Sequence, residues 1–226
     1  MPTDAAFDDV RDDVAAAARR LAAEGLLIGT AGNVSARLPG TDLVAVTATG
    51  VVLGECAVEH ISVVDAAGAV VAGDLAPTSE LDLHRAVYAS GGAGAIVHTH
   101  APYATAVACA VDVLPVLHYQ QLLLGGEVRV APYATFGTPE LAAHVAAALE
   151  GRSAALMANH GAVNHAADLG AAVDGALLLE WCARLYVNAS RLGEPRVLDE
   201  AQQAAVIEAA IARSYGRTRP SAEGTA

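Results

Sequence analysis

Aromatic side chains are scarce, 4% of 226 residues, and cationic ones are outnumbered, 13 Lys+Arg against 25 Asp+Glu. The first shortage excludes a core built on aromatic anchors. Hydrophobic residues still make up 54%, much of it alanine, so the interior is expected to be aliphatic and Ala-rich, in one domain spanning residues 1–215. The second shortage leaves a formal net charge of -12, which repels polyanions and provides no basic stripe for nucleic acid. An anionic substrate therefore needs a local site. The three cysteines, Cys56, Cys109 and Cys182, lie too far apart for a CxxC motif and do not form a disulfide framework, so all three read as buried free thiols. The longest uncharged stretch, Ala86 to Val111, is interrupted by Gly91-Gly92, Pro102 and two histidines, which excludes a membrane span. The acidic opening MPTDAAFDDVRDDV lacks the basic and apolar segments of a secretory signal, and the expected location is cytoplasmic.

What is present has a clear order. Apolar residues at Val10, Val14, Ala17/Ala18 and Leu21 predict an amphipathic helix over Phe7–Leu27. "GTAGNVSARL", "LVAVTATG" and the hairpin-like "ISVVDAAGAVVAGD" predict four antiparallel strands. "PTSELDLHRAVYASGG" has helix start and stop signals, with Glu80 in its first turn. A strand over Ala95–Thr99, a helix over Tyr103–Ala110, a short helix within "VLPVLHYQQLLLGG" and a strand in "EVRVAPYA" follow. Next comes a helix over Thr138–Leu149, with Thr138 as N-cap and Pro139 at N1. "SAALMANHGAVNHA" reads as two strands divided at Asn159-His160-Gly161, Asp168 caps a long helix to about Asn188, and Glu200–Ser214 forms the last helix. The tail, residues 216–226, reads as disordered. Strands in two batches mixed with helices favour an α+β or three-layer α/β/α domain.

"AIVHTHAPYA" sets His98 and His100 two residues apart, roughly 6.6 Å along a strand and on one face. Both rings can turn toward one ion. Zinc binds imidazole nitrogen at about 2.0–2.1 Å and in catalytic sites commonly takes three protein ligands. An isolated HxH is better explained by a hydrogen-bonded polar core. His160, between an apolar strand and a glycine in "LMANHGAV", is the candidate third ligand. The other five histidines, His60, His84, His118, His144 and His165, have no paired spacing and are expected only to pack. Glu80 is either a fourth ligand, a base, or an ordinary first-turn acid favoured by the helix dipole. Thr78 and Ser79 at that helix start, Asn33 in "GTAGNVS" and Thr49-Gly50 in "TATG" offer N–H and hydroxyl donors that together make a phosphate cradle without lysine. Each alone is equally a cap or a turn.

Taken in order, "GTAGNVSAR", "TATG", "PTSE", "HTHAPYATA", "HYQQLLLGG", "APYATFGT" and "ANHGAV" resemble the class II aldolase/adducin family over roughly Arg11 to Tyr215. The resemblance implies a three-layer α/β/α fold with a central, mainly antiparallel sheet, and a cyclic homotetramer with active sites between subunits. It implies one zinc ion per subunit on His98, His100 and His160, with Mn, Fe or Co as other possible occupants. Glu80 falls on the acid that is fourth ligand at rest and base in turnover. Asn33, Thr49, Gly50, Thr78 and Ser79 fall on the phosphate pocket. Tyr119 falls on a tyrosine that enters a neighbour's site and protonates the aldehyde oxygen, and Tyr215 on one that closes over substrate. The implied reaction cleaves a ketose 1-phosphate, such as L-fuculose 1-phosphate, to dihydroxyacetone phosphate and an aldehyde such as L-lactaldehyde. Other branches of the family are pentose-phosphate 4-epimerases, dehydratases, sugar-acid-phosphate decarboxylases and non-catalytic interaction modules. Thr78 stands where serine is usual, and Ala48 where the family's "TPTG" has proline.

Overall fold

The computed structural model describes residues 4–213 together with Tyr215 and Gly216; beyond Gly216 the expected tail lies outside the described residues. The first apolar stripe forms α1 (Asp4–Ala23) and is buried at Val10, Val14, Ala18 and Leu21. This helix stops short of the expected Leu27, because Gly25 turns the chain at φ 76 and Leu26 N–H returns to the Leu21 carbonyl.

Four strands follow, β1 (Asn33–Arg37), β2 (Val44–Thr47), β3 (Ile61–Val64) and β4 (Val70–Ala72), paired antiparallel in succession as expected. Next in the chain are α2 (Leu81–Ala89), β5 (Ala95–Thr99), α3 (Pro102–Ala108), β6 (Val113–Leu114) and β7 (Val128–Ala131). The remaining elements are α4 (Pro139–Ala148), β8 (Ala154–Met157), β9 (Gly161–Ala166), α5 (Leu169–Leu192) and α6 (Glu200–Arg213). The strands join one nine-stranded sheet in the order β4-β3-β2-β1-β5-β9-β8-β7-β6. Every pairing is antiparallel except β7 with β8.

The short helix expected in "VLPVLHYQQLLLGG" is the six-residue 3-10 helix Tyr119–Leu124, while Val113 and Leu114, ahead of Pro115, pair with β7 as a strand. Two expectations need correction. Glu80 is the N-cap of α2 and not a first-turn residue. Cys109 is exposed; only Cys56 and Cys182 are buried, with burial pushing their thiols up to about 11 and about 12.

Alternation along the strands separates two cores. Val34, Ala36, Ala95 and Val97 pack with Leu21 of α1, Val107 of α3 and Leu179 of α5. Val46, Ile96 and Val163 pack on the other face with Leu83 and Val87 of α2 and Leu141 and Val145 of α4. The result is the α/β/α sandwich, held by aliphatic side chains whose full burial contributes about 1.5–3 kcal/mol each. Period two also places the polar residues. Asn33 and Ser35 alternate with Val34 and Ala36, and His98 follows Ile96, so all three face the α2 layer.

Candidate metal centre

β5 delivers His98 from its interior and His100 just past its end, while His160 stands at the turn from β8 into β9. Because β5 pairs with β9, with Thr99 opposite Ala162, these distant segments meet. The turn depends on Asn159 at φ 56, a left-handed conformation that asparagine tolerates, and on Gly161. A Cβ at Gly161 would run into the Thr99 carbonyl and lie 3.3 Å from His98 Cε1.

The three rings face one another with centroids 4.8, 4.9 and 5.0 Å apart. One ligand atom from each lies within 4.8 Å of the others. His98 Nδ1–H donates to the Ala162 carbonyl at 2.9 Å, which turns Nε2 to the cluster, a lone pair when the ring is neutral. That Nε2 is 3.1 Å from His100 Nε2 and 3.1 Å from Glu80 Oε2. Metal–nitrogen bonds of about 2.0–2.1 Å in a tetrahedron put the nitrogens about 3.3 Å apart, close to the His98–His100 separation, so this donor set suits a divalent cation. Glu80 Oε1 is 3.5 Å from His160 Nε2 and, among the described residues, has no hydrogen-bond partner.

The charges in this cluster are set by burial and by Glu80. Burial disfavours a charged Glu80, yet the His98 charge and hydrogen bond, the His160 charge and the Asn33 amide outweigh it and hold the carboxyl well below the usual range. Burial likewise disfavours a charged His98, but the Glu80 carboxylate prevails and raises it. Burial and the charges of His98 and His160 push His100 down to about 4, and burial with His98 lowers His160. His84, fully buried, is pushed down to about 3 by burial and then by the His98 charge. A cluster of mostly neutral imidazoles beside a carboxylate is a ready donor set for a cation.

A cleft of about 410 Å³ opens beside the cluster, lined by His100, His160 and Glu80 together with all five expected phosphate-site residues, Asn33, Thr49, Gly50, Thr78 and Ser79. Asn33 differs from expectation in one respect. It begins β1, is buried, and spends one amide hydrogen on Glu80 Oε2 at 3.0 Å. Tyr133 and Phe136, for which the sequence suggested no role, also line the cleft and are 64% and 65% exposed. Tyr119 and Tyr215 do not reach it within one chain. Their hydroxyls meet at 3.1 Å beside Val206 and Ala210, in a separate groove. His84, expected only to pack, carries more than packing: its Nδ1 meets Ser35 Oγ at 2.7 Å and its Nε2 meets Asn33 Oδ1. Glu80, His84 and Tyr88 are spaced by four and Asn33 and Ser35 by two, a match that shows only once α2 lies over β1.

The family model described as Class II Aldolase and Adducin N-terminal domain matches residues 12–187. A 5-deoxy-D-ribulose 1-phosphate aldolase of Bacillus thuringiensis serovar kurstaki is 36% identical over 191 residues, covering 84% of this chain and 90% of that protein. The L-fuculose phosphate aldolase of Escherichia coli strain K12 is 40% identical over 187 residues, covering 81% and 86%. A solved structure of an L-fuculose 1-phosphate aldolase superposes with TM-score 0.86 at 37% identity, covering 92% of this chain and 97% of that one.

Proposed function

Because the chain belongs to the class II aldolase and adducin family, we propose that it is a metal-dependent aldolase cleaving the C3–C4 bond of a ketose 1-phosphate. The products are dihydroxyacetone phosphate and a short aldehyde, L-lactaldehyde from L-fuculose 1-phosphate or acetaldehyde from a 5-deoxypentulose 1-phosphate. The observation that carries this reading is the meeting of His98, His100 and His160 with Glu80, whose Oε1 is unpaired, at the wall of a cleft. The sequence adds a chemical constraint: all 13 of its Lys+Arg residues are arginine. With no lysine there is no side-chain amine to form an imine with the ketone, so electron withdrawal must come from a cation.

His98, His100 and His160 would hold zinc, with Mn, Fe or Co sharing the same donor preference. Such a cation supplies Lewis-acid stabilisation of the negative charge left on the ketone oxygen when the carbon–carbon bond breaks. Glu80 moves the proton at C3, taking it in the direction of synthesis and returning it in cleavage. Thr49, Gly50, Thr78 and Ser79, with the second amide hydrogen of Asn33, bind the phosphate through uncharged donors, as suits a chain of net charge -12. Tyr133 and Phe136 offer apolar surface to a deoxy terminus. Tyr119, turned away from its own cleft, serves a neighbour's site in a cyclic homotetramer by exchanging the proton of the aldehyde oxygen, and Tyr215 beside it closes over substrate. The protein acts in the cytoplasm.

The test is a coupled assay for dihydroxyacetone phosphate released from L-fuculose 1-phosphate and 5-deoxyribulose 1-phosphate by zinc-loaded protein. Release from at least one is expected, lost on chelation and restored by zinc, with Glu80→Gln lowering kcat by about 10²–10⁴. Loaded protein that leaves every ketose 1-phosphate intact would overturn the reading.

A further inference from the structure

Six side chains between β1 and α2 interlock in strict alternation: Glu80, Asn33, His84, Ser35, Tyr88, Arg37. Glu80, His84 and Tyr88 are four apart on α2 and its N-cap; Asn33, Ser35 and Arg37 are two apart on β1. Four helical residues advance about 6 Å and two strand residues about 6.6 Å, so the two rows stay in step and each group reaches the next. Four hydrogen bonds join them: Asn33 Nδ2 to Glu80 Oε2 at 3.0 Å, His84 Nε2 with Asn33 Oδ1, Ser35 Oγ with His84 Nδ1 at 2.7 Å, and Tyr88 Oη with Ser35 Oγ at 2.8 Å. The Arg37 guanidinium covers the Tyr88 ring at 4.8 Å. Glu80, Asn33, His84, Ser35 and Tyr88 are all buried.

One anion orders every proton in this row. An ionised carboxylate only accepts, so Asn33 must present its NH₂ to Glu80 and its carbonyl to His84. His84 must then donate from Nε2, and as a neutral ring it accepts at Nδ1 from the Ser35 hydroxyl. Ser35 in turn accepts from Tyr88. The row does not conduct protons, because an amide between imidazole and carboxylate has no acid or base to pass one on. What it sets is direction.

We propose that His84 is a positioning residue for the reaction: through Asn33 it ties Glu80 Oε2 and leaves Oε1 as the untied oxygen, an inference that rests on the aldolase reading of Glu80. Without the His84 donor the buried Asn33 carbonyl has no partner, so the side chain shifts to find one and loosens its hold on Glu80 Oε2.

The deciding measurement is the ¹⁵N spectrum of the His84 ring in the metal-free and the zinc-loaded full chain. The neutral Nε2–H form is expected in both across roughly pH 6–8; an Nδ1–H or protonated ring would overturn the proposal. In kinetics, His84→Leu should lose kcat by about 10- to 100-fold with bound zinc unchanged. His84→Gln, whose amide N–H can still donate to Asn33, should recover most of that loss, a rescue that simple core packing does not predict. A folded His84→Leu with parental kcat, or a Gln variant no better than Leu, would also overturn it. If the leucine variant fails to fold, the ring spectrum and the glutamine variant still decide. Parent protein that cleaves no ketose 1-phosphate would instead sink the aldolase reading, while the ring spectrum continues to test the row.

Discussion

Gly161 shows how one missing methyl group serves the site. A Cβ there collides with the Thr99 carbonyl, a backbone atom that cannot rotate away, and presses on His98 Cε1 at 3.3 Å. Gly161→Ala is therefore expected to destabilise the chain by about 1–3 kcal/mol as overpacking does. It should also weaken zinc binding by roughly 10- to 100-fold, read by competition with a chelator; parental affinity would show that His98 tolerates displacement. At this scale the sequence picked out residues that the fold brings together. His98, His100 and His160 stood out because imidazoles beside a strand end and a glycine turn are few, whereas Glu80 stood out only through the family resemblance. His84 did not stand out, because one histidine inside a helix has no local mark. Its partners Asn33 and Ser35 lie 51 and 49 residues away in the chain, a pairing that spacing along one segment does not reveal.

The elements were legible where local rules decide and less so where pairing does. Asp168 caps α5 by accepting from Ala171 N–H at 2.8 Å, and Thr138 caps α4 by accepting from Leu141 N–H at 3.3 Å, both as their sequence contexts predict. Asp168→Ala should cost about 1 kcal/mol and lower Tm by about 2–4 °C without altering zinc stoichiometry; an unchanged melt would mean that packing alone holds α5 at its start. β6 was not legible. Two residues, Val113 and Leu114, make a strand only because β7 lies alongside to pair with them. Likewise the end of α1 was set by Gly25 and the return of Leu26 to Leu21, although apolar periodicity continued to Leu27.

For the whole molecule, burial of the histidine cluster makes stability depend on pH once metal is removed. His84, His100 and His160 have folded pKa values below that of the unfolded chain, so the unfolded state takes up more protons and stability falls as pH drops below about 6.5. His98 is raised, so its contribution is full below about 6.5 and is lost as pH rises through its folded value. Glu80 is lowered, so its contribution is present above about 4.3 and is lost only in stronger acid. Melts of chelator-treated protein should therefore peak near about pH 6.5 and fall on both sides, with zinc flattening the alkaline limb; a melt that keeps rising below that pH would contradict the neutral histidines. By itself the sequence determined the class of chemistry, the elements with strong caps and periodicity, and a net charge of -12. Those are local properties, carried by residue type and short spacing. Only the tertiary structure decided that β5 meets β9 to gather three imidazoles, that α2 locks onto β1 through His84, and that Tyr119 points away from its own cleft. Such contacts join segments far apart in the chain, and the burial that holds them together exists only when both faces of the sheet are covered.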